Sequence, residues 1–457
     1  MKLLKFTAFS AASIAYLIAP TQHANAAMGN IGSTYGVLPT DIATAQALSL
    51  FNPQVSSVYY NPANLVRKPG GELTTGLLHA EHEIKLKSLG GSDPANRTGS
   101  NVIENSPSQH VLLGMKTDLT SLTRFEHPVY LGMMLGVEKY GKEMLAFDSH
   151  TGNDGQSFEY GRQPLFLVLG GGTNIWRGID AGFSARIALH SAATLNASSS
   201  LSGATTQEQM SVSAKPVISP IVGVNIDWGK TLCAESTDGC FLDKFQTAIS
   251  YRALSNTKTT VNSNITIPGT VPSPGVALAV TTLDSYQPDI LSVGMMYGSE
   301  KDYLIGVTLE MQQWSKLEDE LAKDTIKDQA ITTNNGQLTF RNTVTPRVGG
   351  EYWFNKNLML NAGVAFSKSP LDSNSSLNVN YLDSDKLIMA VGLSFDYDEV
   401  KFLSKPVRLD VGYQHHALKE REFDLYSSSS PSYPQPYERV ATSGSVDVFS
   451  ASVTLKF

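Results

Sequence analysis

Charge is scarce in this sequence: only 17% of its 457 residues are Asp, Glu, Lys or Arg, against about 25% in an ordinary soluble domain. Long apolar runs are missing as well. Beyond the first two dozen residues nothing approaches the roughly 18 uninterrupted apolar residues of a helical membrane span. Cysteine is nearly absent. The two thiols, Cys233 and Cys240, have no nearby histidine and do not make a four-ligand metal centre; in an oxidising compartment they are expected to close a small disulfide loop. Basic charge is also in deficit, with a formal net charge of −7, which does not favour a nucleic-acid partner. Low charge argues against an ordinary soluble protein. An apolar share of only 41% argues against a helical membrane protein.

Residues 1–26 read as a secretory signal. Lys2 and Lys5 supply the positive start, Ala8 to Ala19 an apolar stretch, and Ala24-Asn25-Ala26 the small residues of a cleavage site. A membrane anchor is the alternative. Removing these residues takes two lysines and no acids, leaving 33 basic against 42 acidic residues, a charge of −9. An exported chain of this kind is periplasmic, secreted or an outer-membrane β-barrel.

What the sequence has in quantity is period-two alternation. Phe449, Ala451, Val453, Leu455 and Phe457 fall on one face, with Ser450, Ser452, Thr454 and Lys456 on the other. Leu387 to Tyr397, Val407 to Tyr413, Tyr303 to Met311 and Leu358 to Phe366 repeat the pattern. The segments are about ten residues long, the length of a tilted membrane strand. Their polar faces carry glycine and small polar residues, as a wet lumen would. Aromatics gather near segment ends (Tyr352, Trp353, Phe354, Tyr397 and Trp314) as interfacial girdles do. Connections alternate between tight turns and long polar stretches, among them 191–208 and 259–284. The expected fold is therefore all-β: a transmembrane antiparallel barrel of about fourteen strands over residues 67–457. The alternating strand that ends in Phe457 is expected to address the barrel assembly machinery, and membrane lipid to cover the outer face.

Residues 27–66 do not alternate. Ile42 to Phe51 is rich in helix formers, Asp41 is a candidate cap, and Asn52-Pro53 stops the pattern. A barrel of this size leaves a lumen to be filled, so this stretch is expected to be an N-terminal, partly helical hatch. A periplasmic tail against the barrel mouth is the alternative.

Ala47 to Leu65, with Asn61-Pro62-Ala63-Asn64-Leu65 just before the first strand, resembles the hatch region of the FadL-type long-chain fatty-acid and aromatic-hydrocarbon transporters. Asn64 stands where that family usually has glycine. Gln287-Pro-Asp, Met311-Gln-Gln-Trp-Ser-Lys, Pro346 to Pro370, Tyr381 to Tyr397 and Leu409 to His415 extend the likeness in order. The resemblance implies a fourteen-stranded barrel around a hatch and passive uptake of a hydrophobic small molecule. It also implies lateral release at a kink in the third strand, where Gly132, Gly136 and Gly141 are the glycines available.

An apolar solute is stabilised by burial at about 25 cal/mol per Å², so its path needs aliphatic and aromatic side chains. Phe51, Val58, Tyr59, Tyr60 and Leu65, around Asn61, Pro62 and Ala63, are candidates to touch it; packing the hatch against the wall is their alternative role. Arg67 and Lys68 are candidates for a carboxylate. Catalytic patterns are sparse. His79, Glu81 and Glu83 share one strand face and His82 the other, so they do not converge on a metal and read as solvated lumen charges. His415 and His416 likewise diverge. Gly170-Gly171-Gly172-Thr173 lacks the lysine of a phosphate loop and reads as a strand-to-turn run. No cofactor is implied. The rival functions are a general porin, a lipid-acting barrel enzyme and an adhesion or structural barrel.

Overall fold

The computed structural model describes residues 30–92, 94, 107–124, 126–139, 165–199, 205–233, 240–267, 271–299, 302–318, 339–377, 383–398, 405–426 and 434–457. The segment read as a signal and Gly141 lie outside these.

Among the described residues seventeen strands form one sheet. The first seven are β1 (Glu72–Gly90), β2 (Ser108–Asp118), β3 (Val129–Lys139), β4 (Leu165–Trp176), β5 (Ile179–Ser199), β6 (Thr205–Asp227) and β7 (Phe245–Arg252). Next come β8 (Ser255–Ile267), β9 (Val271–Gln287), β10 (Ile290–Ser299), β11 (Tyr303–Gln312), β12 (Thr343–Trp353) and β13 (Leu358–Ser367). The last are β14 (Ser375–Leu377), β15 (Lys386–Tyr397), β16 (Val407–Tyr426) and β17 (Glu438–Lys456). Fourteen of them make a closed antiparallel barrel, running β1 to β7, β10 to β13, β15, β16 and β17, with β17 pairing back onto β1 from Glu72↔Lys456 upward.

The other three lie at the long-loop end. β8 and β9 form a hairpin whose β8 runs parallel to the upper edge of β5, Ser191↔Thr259 to Ser198↔Thr266. The short β14 lies parallel to β16. The stretches 191–208 and 259–284, expected as loops, are thus largely strand. Both stretches are rich in Ser, Thr and Asn, yet their backbones pair along β5–β6 and β8–β9.

Alternation works as expected on the wall. On β2, Val111, Leu113 and Met115 face outward and exposed, while His110, Leu112 and Lys116 face inward and buried. Leu291 and Met295 on β10, Ile305, Val307 and Leu309 on β11, and Val391, Val411, Phe449 and Val453 near closure continue the outer apolar band. Such a band, with a polar interior, is how a barrel meets lipid outside and water or a plug inside.

Two expectations about faces are corrected. His79, Glu81 and Glu83 point to the outer face rather than the lumen, with His79 Nε2 2.6 Å from Glu81 Oε1; only His82 is interior, 2.9 Å from the Tyr35 hydroxyl. Trp314, expected in a girdle, is buried among Tyr286, Phe340 and Phe423. Tyr352, Phe354 and Tyr397 do stand exposed at the short-turn end. The run Gly170–Thr173 lies within β4 rather than at its turn.

Candidate functional site

The lumen is filled by residues 30–71. Short helices over Ile31–Thr34, Pro39–Ala43 and Ser57–Tyr60 and a 3-10 turn over Pro62–Val66 make the hatch. None is long enough to be stable alone; the wall and a few side-chain caps hold them. Asp41 ties the first half together. Its carboxylate accepts from Leu38 N at 3.1 Å, Ser49 Oγ at 2.8 Å and Asn52 Nδ2 at 3.1 Å. Burial raises its pKa, and these donors oppose the rise. Asn61 caps the 3-10 turn by accepting from Ala63 N at 3.2 Å, and its amide donates to Leu50 O at 3.0 Å. Asn64 donates to the same carbonyl and accepts from Asn225 of β6.

Wall side chains also satisfy hatch carbonyls. Arg347 Nη1 reaches Ala45 O at 3.0 Å, Thr308 Oγ1 reaches Ala47 O at 2.7 Å, and Gln414 Nε2 reaches Ile42 O at 3.1 Å. Lys116 Nζ reaches Pro53 O at 3.1 Å and Ser184 Oγ reaches Val58 O at 2.5 Å. Where the hatch backbone comes closest, the wall offers glycine. Gly172 and Gly182 face Pro62, Gly223 faces Asn61, Gly363 faces Thr44 and Gly412 faces Pro39. At each of these a Cβ would overlap the hatch. The inward glycines, expected to line a wet lumen, are instead the footprint of the plug.

The eight hatch candidates are all interior, none more than 7% exposed where a value is given (Phe51). Val58, Tyr59, Tyr60 and Leu65 join Leu112, Tyr130, Met134, Phe166, Val168 and Ile221 in one apolar cluster against β2–β6. Phe51 belongs to another, with Leu48, Leu50, Ala248, Met296 and Leu304. Asn61, Pro62 and Ala63 make the cap and the contact with the wall glycines. Gly132 and Gly136 sit in uninterrupted ladders, β3 pairing with β2 and β4 without a shift of register. Val58 and Leu65 occupy the space beside Gly132, and His110 that beside Gly136. Arg67 is committed to Asp180 and Asp227, at a cavity of about 420 Å³ at the short-turn mouth that Lys68 also lines. Cys233 and Cys240 are joined as a disulfide.

Above the hatch the apolar surface continues toward the long-loop end. Ile31, Tyr35, Ile42, Leu78, Val446 and Val448 form a middle cluster. Leu418 packs against it and against an upper one that contains Trp314, Phe340, Leu371, Phe423 and Tyr437. The charges beside this descent already have partners. Glu310 binds Arg252 at 2.6 Å and Arg347 at 3.2 Å. Arg186 Nη1 donates to Gln287 Oε1 at 2.8 Å, which also accepts from the Tyr59 hydroxyl at 2.7 Å. The Arg252 guanidinium lies 4.8 Å above the Tyr59 ring. These interior groups were not singled out in the sequence. Their signal is a charged residue on the inward face of a strand opposite a lipid-facing apolar row, as at Arg252 at the end of β7 and Glu310 near the end of β11. Among the described residues no cluster of His, Cys, Asp or Glu could hold a metal ion.

Comparison with known proteins gives three findings. Residues 179–457 match the sequence pattern of the family described as outer membrane protein transport protein (OMPP1/FadL/TodX). Over 447 residues the chain is 49% identical to alkane uptake protein A of Marinobacter nauticus, covering 98% of this chain and 95% of that one. Its fold is similar to a FadL homologue of Pseudomonas aeruginosa (TM-score 0.58, 14% identity, 92% of this chain and 98% of that one). It is also similar to the toluene transporter TodX of P. putida (TM-score 0.53, 11% identity, 93% and 99%).

Proposed function

The chain belongs to the outer-membrane transport family of FadL and TodX, and on that premise we propose that it admits long aliphatic hydrocarbons passively and releases them sideways into the membrane. It is an outer-membrane channel for hydrophobic molecules, not an enzyme. The observation that carries the finer reading is the chain of apolar clusters from the long-loop end to the hatch, flanked by cations already engaged. A carboxylate ligand needs a charge partner; a hydrocarbon needs only burial. The relative named for alkane uptake, at 49% identity, supports the same substrate class.

Sideways release is supported by the hatch. It is tied to the wall through backbone carbonyls and seated on glycines around the barrel. An axial exit would require breaking all of these together, and each buried group left without a partner costs about 1–3 kcal/mol.

One observation favours a fatty acid instead. Arg252 Nη1 is buried without a hydrogen-bond partner among the described residues. The test is uptake of a labelled long-chain alkane and of the fatty acid of equal chain length, by cells with and without the protein. Protein-dependent uptake of the alkane is expected. Protein-dependent uptake of the acid alone would transfer the assignment to fatty acids, and no dependence for either would end the transport reading.

A further inference from the structure

We propose that the outer face around the closure of the barrel, on β1, β17 and β16, is a binding site for one acylated, sugar-headed lipid of the outer leaflet. The inference rests on the outer-membrane location and not on which solute the channel admits. A groove of about 800 Å³ lies in this face. Its floor follows from register. Val111, Leu77, Ala451, Val411 and Leu393 make one outward row across β2, β1, β17, β16 and β15. Four of the five are bulky, and the alanine in the middle leaves the hollow. In the next row up, Phe449 and Tyr413 stand side by side with ring centroids 5.1 Å apart and form an upper lip. Leu77, Val111, Val411 and Phe449 are exposed, so the groove is a dent in the apolar band that meets lipid, and an acyl chain laid in it gains burial on three sides.

At and above the lip the same face turns polar. Asp447 Oδ1 accepts from the Tyr413 hydroxyl at 2.6 Å and lies 2.8 Å from His415 Nδ1. Gln109 Nε2 donates to His79 Nδ1 at 3.3 Å, which leaves the His79 Nε2–H to donate to Glu81 Oε1 at 2.6 Å. Ionisable groups are costly in hydrocarbon, so their onset directly above an apolar row sets the level of the lipid headgroups there. These bonds engage one oxygen of each carboxylate, and the Glu81 and Asp447 side chains are 50% and 32% exposed. Each keeps acceptor capacity for a donor arriving from outside.

The two surfaces together select the occupant. The hollow takes an acyl chain as a continuation of the apolar band. Glu81 and Asp447 take hydroxyl and amide N–H groups, and they repel a phosphate placed directly on the lip. A sugar headgroup brings such donors in number, and the exposed Tyr413 and Phe449 rings give it an apolar face to rest on. Farther up β1 the same face carries Glu83 and then Lys85 and Lys87, cations for phosphates attached to the outer side of the sugars.

The test fills the hollow. Full-length protein, Ala451→Trp, and Ala185→Trp are purified from outer membranes in detergent. Ala185 is an outward alanine on β5, flanked by the inward Ser184 and Arg186, and serves as the control. Native mass spectrometry is read after addition of lipid A or of phosphatidylethanolamine. One lipid A per barrel is expected on the unmodified protein and on Ala185→Trp, with occupancy at least about tenfold lower on Ala451→Trp. Phosphatidylethanolamine is expected to be retained weakly and equally by all three. Equal retention of both lipids by the unmodified protein overturns the sugar-headed occupant, as does loss of lipid A from Ala185→Trp. A dimer that Ala451→Trp abolishes assigns the face to a second copy and overturns the proposal as well. A second measurement needs no variant. Lipid A bearing a diazirine on an acyl chain, photolysed on the unmodified protein, is expected to label Leu77, Ala451 and Val411. Label spread evenly around the wall overturns the site.

Discussion

Arg347 of the wall donates from Nη1 to the carbonyl of Ala45 at 3.0 Å, at the point where the hatch turns through left-handed backbone. Ala45 and Gln46, with φ of 49° and 63°, are the two non-glycine residues in that region among those described. Each costs of order 1–2 kcal/mol to hold there. The same guanidinium binds Glu310, which binds Arg252, so one buried triad connects the strained turn to β7, β11 and β12. Arg347→Ala is expected to destabilise the protein by about 3 kcal/mol, the lower end for a broken buried pair because Glu310 keeps Arg252. Thermal unfolding in detergent, followed by far-UV circular dichroism, reads this. An unchanged transition would show that the triad does not support the hatch.

The glycine footprint makes a paired prediction. A Cβ at Gly412 would lie 2.6 Å from the Pro39 carbonyl oxygen, inside van der Waals contact with hatch backbone. A Cβ at Gly76 would meet nothing nearer than Ser452 Cβ at 3.6 Å. Gly412→Ala is therefore expected to displace the hatch and raise ion conductance in planar bilayers, and Gly76→Ala to leave conductance unchanged. Equal behaviour of the two would mean that hatch and wall are less tightly fitted than described.

The barrel is legible in the sequence because lipid enforces period two on every wall strand. Leu291 to Tyr297 and Val407 to Tyr413 alternate because one face meets lipid and the other the interior, and the pairing of β17 with β1 closes the wall. The hatch is legible where it breaks the pattern, at Asn52-Pro53 and Asn61-Pro62. What is not legible is which partner an inward face meets. Gly363, Gly392 and Gly412 look alike facing water or facing a plug, and the difference lies in contacts hundreds of residues apart. The charged interior, Arg252, Glu310 and Arg347, hides for the same reason. The outward position of His79 and Glu81 follows from register with β17, Glu81↔Asp447, which local alternation does not fix.

Acidification should loosen the long-loop rim at Asp289. Its carboxylate accepts from the Tyr251 hydroxyl at 2.6 Å, Leu254 N at 2.9 Å and Lys316 Nζ at 2.6 Å. Burial alone would raise its pKa, but Lys316 and the other donors outweigh that and hold it below the usual carboxylate value. A depressed folded value means the stabilisation is complete above the unfolded value, near 3.9, and is lost as pH falls through the folded one. Lys316 is half exposed, so its share is about 1 kcal/mol or less. Protease cleavage between Ala253 and Tyr286 is expected to rise only in strong acid, and Asp289→Asn to bring that susceptibility to neutral pH. Cleavage independent of both pH and the substitution would remove Asp289 as the rim's tie.

The disulfide should matter locally and not globally. Cys233 and Cys240 are joined at the short-turn end of the barrel, after the helix Trp228–Leu232 and before the 3-10 turn Phe241–Lys244. That excursion has other anchors. Trp228 Nε1 donates to Thr247 Oγ1 at 2.9 Å, Thr231 Oγ1 to Arg177 O at 2.8 Å, and Asp227 caps the helix through Lys230 N at 3.1 Å while binding Arg67. Chain entropy assigns so short a loop about 2–3 kcal/mol, acting on a segment whose opening breaks no wall ladder. Cys233→Ser with Cys240→Ser is therefore expected to make residues 233–240 cleavable by protease while the unfolding temperature of the barrel stays unchanged. A parallel fall in that temperature would mean the excursion is coupled to the wall through Arg67 and Asp227 more strongly than these contacts imply.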